Sequence, residues 1–118
     1  MLQILKYNSL EIAKNIEICR TLTNQMSGLM FRSRIPADYA MIFVMKKPAS
    51  IGIHMLFMRF PIDVIFLNEE KTIVGMAHLK PWIGHKGMKN IKYIIETNPG
   101  AIERYELSIG GQMGFEDI

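Results

Sequence analysis

Residues 51–67, IGIHMLFMRFPIDVIFL, form the longest run in this chain that is dense in large apolar side chains. Three polar residues, His54, Arg59 and Asp63, interrupt the run. A charged side chain in such a context either lies at a break in the structure or must find a partner when it is buried. We therefore expect this stretch to contain both core strands and the residues that could form a site.

Pro61 divides the run. Proline lacks an amide hydrogen and biases the preceding residue away from helix, so a central strand cannot pass through it. The sequence therefore predicts a break or bulge at residues 59–61, with one strand over residues 51–58 and another over residues 62–67.

The rest of the chain shows strand patterns more often than helical ones. Alternating apolar residues and turn residues predict strands, and apolar residues spaced by three or four predict helices. About seven short strands with two short helices favour a mainly β (α+β) fold, a small, largely antiparallel β-barrel or sandwich. The other predicted strands are at residues 2–6, 10–19 (with a turn at 13–15), 40–45 (closed by Pro48), 72–79, 91–96 and just before 115. Helices are predicted at 22–31 and at 99–105, the second with Asn98 as its N-cap. A hairpin turn is predicted at 68–71 and a loop at 80–90.

Length and composition indicate one globular domain over residues 1–118, because 118 residues with 49% hydrophobic and 21% charged residues are typical of such domains. A net charge of +3 argues against nucleic acid as the main partner unless the cations cluster. The single cysteine, Cys19, cannot form an internal disulfide, which favours a reducing compartment. With neither a secretion signal nor an uncharged apolar segment of membrane-spanning length, the sequence predicts a cytoplasmic protein.

Five sequence pieces occur in an order that one protein family shares. The pieces are Gly28-Leu29-Met30-Phe31-Arg32, the strand AMIFV at 40–44, PIDVIFL at 61–67, Glu96 followed by Gly100, and residues 109–115. Together they resemble the DUF192 (UPF0127) family, whose members are uncharacterised. The resemblance implies a shared fold over roughly residues 14–116 and no activity that could be carried over.

The chain departs from the family pattern just before residues 61–67. Many members have W-M-K-N-T there, whereas this chain has HMLFM at residues 54–58, so only Met55 is kept. An activity that depends on the family's Lys and Asn is therefore not expected here. The aspartate of the closing motif is also replaced, by Gln112.

Asp63 is the residue most suggestive of a site. The favoured interpretation is structural: the carboxylate accepts backbone amides at the Pro61 break and fixes the start of the strand. The alternatives are a ligand-binding or catalytic carboxylate, with Arg59 or Arg32 as its cation, and an exposed position at a sheet edge. Glu96 could join Asp63 as an acid–base pair.

Two other groups of residues are candidates. His54 is expected to be a core or pocket histidine, and because the three histidines lack ligand spacing, no metal site is predicted. A basic cluster within residues 80–92 could hold phosphates or stack a base, or could be a solvated loop anchored by its aromatic residue. Its anion-binding candidates are Lys80, Trp82, Lys86 and Lys89.

These observations leave three functions open, and no cofactor motif is present. The first is a module that binds a small molecule or a protein in a pocket near residues 51–67. The second is a hydrolase-like enzyme that uses Asp63 with Glu96 or His54. The third is anion or nucleic-acid binding through residues 80–92. The ligand-binding candidates are His54, Met58, Arg59, Asp63, Glu96 and Arg32.

Overall fold

The computed structural model describes residues 4–20 and 34–116. Within these ranges the fold is mainly β, as the sequence predicts, with one short helix. The helix expected at residues 22–31 lies outside the described residues. The elements are β1 (Leu5–Tyr7), β2 (Leu10–Ala13), β3 (Asn15–Cys19), β4 (Tyr39–His54), β5 (Ile62–Leu67), β6 (Ile73–Leu79), β7 (His85–Thr97), α1 (Ala101–Arg104) and β8 (Met113–Gly114).

The strands form two separate sheets. Five strands make the larger sheet in the order β3-β4-β7-β5-β6, and three make the smaller one in the order β2-β1-β8. Neither sheet closes on itself within the part of the chain described, so the barrel alternative is not confirmed. All pairs are antiparallel except β3 with β4, which run parallel.

Strand β5 lies at the centre of the packing. All six of its residues are buried, because apolar clusters cover both faces of the larger sheet. Val64 and Phe66 contribute to one cluster, and Ile65 and Leu67 contribute to the other, as the alternation of a strand requires. The second cluster also contains Leu5 and other residues of the smaller sheet, so the two sheets pack against each other on that face.

Strand β4 continues through the point where the sequence predicts it to end. It runs for 16 residues because bulges between Val44 and Ala49 absorb Pro48 without ladder pairing. The ammonium group of Lys92, on the opposite strand β7, donates to the carbonyl oxygens of Met45 and Lys46. These bonds satisfy carbonyl groups that the interrupted ladder leaves unpaired.

Beyond the bulges, residues 49–54 of β4 pair with residues 85–91 of β7 and form an outer arm. The predicted loop at residues 80–90 is therefore a short turn followed by strand. The arm lies over the larger sheet, because Met88 packs where a side chain at Gly75 of β6 would be. The chain leaves β4 after His54 and bends before β5, so a break precedes β5 as predicted, but the strand predicted over residues 51–58 ends at His54 and the break begins at residue 55.

Replacing Gly75 by alanine tests the packing of the outer arm. A Cβ atom at this position would overlap the sulfur of Met88, which is the flexible end of that side chain and can move aside, so we expect Gly75→Ala to lower the free energy of unfolding by at most about 1 kcal/mol. Gly52→Ala is the matched control, because its Cβ would meet nothing within 4 Å. Urea unfolding measures both variants. The difference between the two variants should disappear when Met88 is also replaced by alanine, and a difference that persists would contradict the assignment.

Candidate functional site

Asp63 is held between two strands by the register of the larger sheet. It lies opposite His78 on β6 and opposite Thr97 on β7. Its side chain points to the face that packs on the smaller sheet, since its neighbours Ile62 and Val64 belong to the cluster on the other face. Asp63 is only 2% exposed. A carboxylate this deeply buried requires strong hydrogen-bond donors.

Three donors satisfy the Asp63 carboxylate. The Nδ1 atom of His78 lies 2.9 Å from Oδ1. The backbone amides of Gly100 and Ile102 donate to Oδ2 over 3.1 and 3.0 Å. In the tautomer that donates to this carboxylate, the Nδ1 atom of His78 carries the proton and Nε2 lies on the other side of the ring. Hydrogen bonds to a charged group are about twice as strong as neutral ones.

The same contacts explain where helix α1 begins. Residue Gly100, at φ 99, is the N-cap, and no side chain of the adjacent sequence caps the helix. The predicted cap, Asn98, instead donates to the carbonyl oxygens of Ile35 and Pro36. Asp63, from a distant strand, accepts the amides that a local cap would have accepted. Asp63 therefore accepts backbone amides, as expected, although the donors are the N-cap and the first turn of α1 and not residues at Pro61.

A groove opens beside this network, and we call it the Asp63 groove. Its volume is about 680 Å³, and the side chain of His78 is 51% exposed in it. Because Nδ1 faces the buried carboxylate, Nε2 is the atom that a molecule in the groove can reach. The lining residues are Asp63, Met76, Ala77, His78, Pro99, Gly100, Ile102 and Glu103.

The other residues predicted for this pocket lie elsewhere. His54 is exposed at the end of β4, Met58 is buried in the core, and Arg59 is exposed in the bend before β5. None of these three lines the Asp63 groove. Arg32 lies outside the described residues. The nearby basic partner of Asp63 is therefore His78, and not Arg59.

Glu96 lies close to Asp63 in the sheet but on its opposite face. It is opposite Val64 in the register, one position from Asp63, so the two carboxyl groups do not form the predicted acid–base pair. Glu96 is 6% exposed and has no hydrogen bond or ion pair to any other residue that the structure describes. Burial raises the pKa of Glu96 from 4.5 to about 8, because desolvation disfavours the charged carboxylate. Glu96 is thus neutral at pH 7.

The predicted anion-binding residues occupy a turn and the start of β7. Lys80 and Trp82 lie in the turn between β6 and β7, and Lys86 and Lys89 lie on β7. All four are exposed. They do not contribute to the Asp63 groove. In the two described ranges, no three His, Cys, Asp or Glu side chains are arranged to hold a metal ion.

His78 is the groove residue that the sequence reasoning did not select. The turn at residues 68–71 is correctly predicted, and Asn68 stabilises it by accepting the amides of Glu70 and Thr72. A regular hairpin that continued from the pair of Leu67 with Ile73 would place Asp63 opposite Ala77. The register shift between Phe66 and Leu67 moves His78 opposite Asp63. Gly75 lies opposite Phe66 at this shift, and a glycine inside a strand is a signal for a bulge that could have identified the pair.

Comparison with known sequences gives consistent matches over most of the chain. The model of the family DUF192, described as "Uncharacterized ACR, COG1430", matches residues 4–115. A UPF0127 protein of Pyrococcus furiosus is 36% identical over 105 residues, which are 87% of this chain and 88% of the relative. A UPF0127 protein of Pyrococcus abyssi is 32% identical over 100 residues, 83% of each chain.

Comparison with solved structures supports the fold. A protein of unknown function from Novosphingobium aromaticivorans aligns with a TM-score of 0.82 at 22% identity, over 97% of this chain and 84% of the other. A Sinorhizobium meliloti protein, named as a candidate transcription regulator, aligns with a TM-score of 0.81 at 20% identity, over 97% and 92% of the two chains. At these identities the similarity concerns the fold alone. No helix among the described residues has the length and apolar character needed to cross a bilayer.

Replacing Asp63 by asparagine tests the hydrogen-bond network. An amide has one acceptor oxygen, so either the His78 donor or the two backbone amides would face an NH₂ group. We expect Asp63→Asn to lower the free energy of unfolding by about 2–4 kcal/mol. His78→Ala keeps both backbone amides bonded and should cost less than about 1 kcal/mol, since the ring is half exposed. Equal losses in urea unfolding would contradict this assignment.

The raised pKa of Glu96 predicts a pH-dependent stability. Between pH 4.5 and about 8 the folded protein keeps the Glu96 proton and the unfolded chain has lost it. Stability should therefore be highest below this window and fall as pH rises through it, by up to about 1.4 kcal/mol per pH unit. Glu96→Met should remove this slope, whereas Glu69→Met, at an exposed turn, should keep it. Parallel slopes in wild type and Glu96→Met would contradict the prediction.

Proposed function

This chain belongs to the DUF192 (UPF0127) family, and we propose that it is a small binding module whose ligand occupies the Asp63 groove. The observation that carries the proposal is a half-exposed histidine ring fixed by a buried carboxylate at a groove wall. Ligand sites commonly combine apolar walls with a few polar groups of fixed orientation. Asp63 is the one lining residue of this groove that comes from residues 51–67.

The chemistry of the groove favours a ligand with hydrogen-bond donors. In the tautomer with its proton on Nδ1, His78 presents Nε2 as an acceptor, and Glu103 presents a carboxyl group. Met76 and Ile102 supply apolar wall. A small molecule with an apolar body and an amine or hydroxyl group fits these features. The interior of the cell is the inferred location, since the single cysteine, Cys19, cannot form an internal disulfide.

A hydrolytic enzyme is the second candidate, and the Asp63–His78 pair is the observation that favours it. A carboxylate that fixes one histidine nitrogen leaves the other nitrogen able to take a proton from water. In this form of the hypothesis, His78 replaces His54 and Glu96 as the base. The amides of Gly100 and Ile102 are already bonded to Asp63, so they are not available to stabilise an oxyanion. Binding is therefore the better supported function.

A nuclear magnetic resonance screen with small aromatic amines and phenols tests the binding function. We expect at least one compound to shift the His78 ring signals together with the amides of Gly100 and Ile102. His78→Ala should lower the affinity for that compound roughly tenfold, which is the effect of losing one well-placed hydrogen bond. His85→Ala, at an exposed histidine on β7, should leave binding unchanged.

Two results would overturn the proposal. One is a screen in which no compound shifts the groove signals. The other is binding that His78→Ala leaves intact. The enzyme would be favoured if the protein hydrolysed a phenyl ester and His78→Ala abolished that hydrolysis.

A further inference from the structure

Two neighbouring turns expose four large apolar side chains. Leu56 and Phe57 lie in the turn after β4, and Trp82 and Ile83 lie in the turn before β7. Their exposed fractions are 49%, 43%, 52% and 75%. We call these four residues the loop tip. Isolated exposed apolar residues are ordinary, but a contiguous group of this kind marks an interaction surface.

The loop tip is one structural unit. The Met55 amide donates to the Gly84 carbonyl, and the Trp82 amide donates to the Met55 carbonyl, so the backbones of the two turns are joined. The rings of Phe57 and Trp82 meet edge to face, with centroids 5.4 Å apart. The apolar group is therefore held together by the fold.

The backbone at the tip is strained where the aromatic side chains are displayed. Phe57 and Trp82 have φ values of 65° and 68°, a left-handed conformation that bulky residues rarely adopt. Glycine would adopt it more easily. Strain of this kind is typical of functional surfaces, where the displayed side chain matters more than local stability.

The two segments that carry the loop tip contain basic residues and no acidic ones. Residues 39–62 and 71–95, which include both turns and the strands that support them, contain no Asp or Glu. Arg59 and Lys80 each lie two residues from an aromatic residue of the tip, and the exposed residues Lys86 and His85 lie at the base of the turns. The two segments contain eight of the chain's 14 Lys and Arg residues: Lys46, Lys47, Arg59, Lys71, Lys80, Lys86, Lys89 and Lys92.

We propose that the loop tip is a docking surface for an anionic lipid membrane. The four apolar side chains enter the boundary between head groups and acyl chains, and the neighbouring cations contact the anionic head groups. Apolar side chains surrounded by Lys and Arg bind bilayer surfaces in this way, and tryptophan prefers that boundary. Each basic residue near an anionic surface strengthens the binding further. The mode is peripheral, on the surface of the bilayer.

The composition of the tip distinguishes a membrane from a nucleic acid. In a complex with nucleic acid, the lysines would contact phosphates and a base could stack on Trp82. The aliphatic side chains of Leu56 and Ile83 contribute to neither contact, whereas both gain from leaving water for a lipid phase. The observations therefore favour lipid over RNA.

Trp82 is the chain's single tryptophan, so its fluorescence reports directly on the tip. Vesicles of phosphatidylcholine mixed with phosphatidylglycerol should shift the emission to shorter wavelength and protect Trp82 from acrylamide. Vesicles of phosphatidylcholine alone should do neither, and added salt should weaken the response because it screens the cations. Flotation of the full chain with the same vesicles measures binding independently.

Variants distinguish binding through the loop tip from non-specific binding of the protein to vesicles. Leu56→Ser with Ile83→Ser, and separately Lys80→Glu with Lys86→Glu, should each lower affinity for the anionic vesicles roughly tenfold or more. The matched apolar control is Leu10→Ser with Ile109→Ser, since both residues are also exposed but lie away from the tip. The charge control is Lys6→Glu. Neither control should change binding.

Four outcomes would overturn the proposal. They are an unchanged Trp82 emission with anionic vesicles, equal losses in the controls, tighter binding to single-stranded RNA than to vesicles, and a dimer in light scattering that Ile83→Ser dissociates. The last outcome would assign the tip to a second copy of the chain. Because each tested side chain is exposed, circular dichroism should show that the variants are folded. A loss of binding can then be attributed to the changed surface and not to unfolding.

Discussion

The hydrogen bonds to Asp63 are the constraint on which the candidate site depends. Desolvating a carboxylate costs several kcal/mol, so its burial requires donors that remain in place. Its donors come from β6 and from the segment that starts α1, which are 15, 37 and 39 residues away in sequence. One side chain therefore joins both walls of the Asp63 groove and sets the orientation of His78.

Glu96 shows how a buried carboxyl group behaves without such donors. It lies one register position from Asp63, on the opposite face, among apolar side chains. Because no described residue compensates its charge, the group is neutral and its pKa is raised. The alternation of the strands thus places two adjacent carboxyl groups on opposite faces, Asp63 with hydrogen-bond donors and Glu96 without them.

Local chemistry predicted the features that depend on nearby residues. The turn after β5 follows from Asn68, and the bend before β5 follows from Pro61. The features that depend on distant residues could not be predicted. Pro48 does not end β4, because Lys92 from another strand accommodates the bulge beside it. Similarly, the start of α1 depends on an acceptor 37 residues earlier in the chain, which no local capping rule contains.

Both proposed surfaces use the end of β6. His78 faces the Asp63 groove, Leu79 is buried, and Lys80 begins the turn that carries Trp82. The buried Leu79 and the Asp63–His78 bond fix this strand end, so the tip is displayed by a part of the chain that does not need to rearrange. The two surfaces differ in chemistry: the groove presents acceptors, and the tip presents cations and apolar groups. A donor-bearing small molecule and an anionic bilayer would therefore bind to different surfaces of the same strand end without competing for the same side chains.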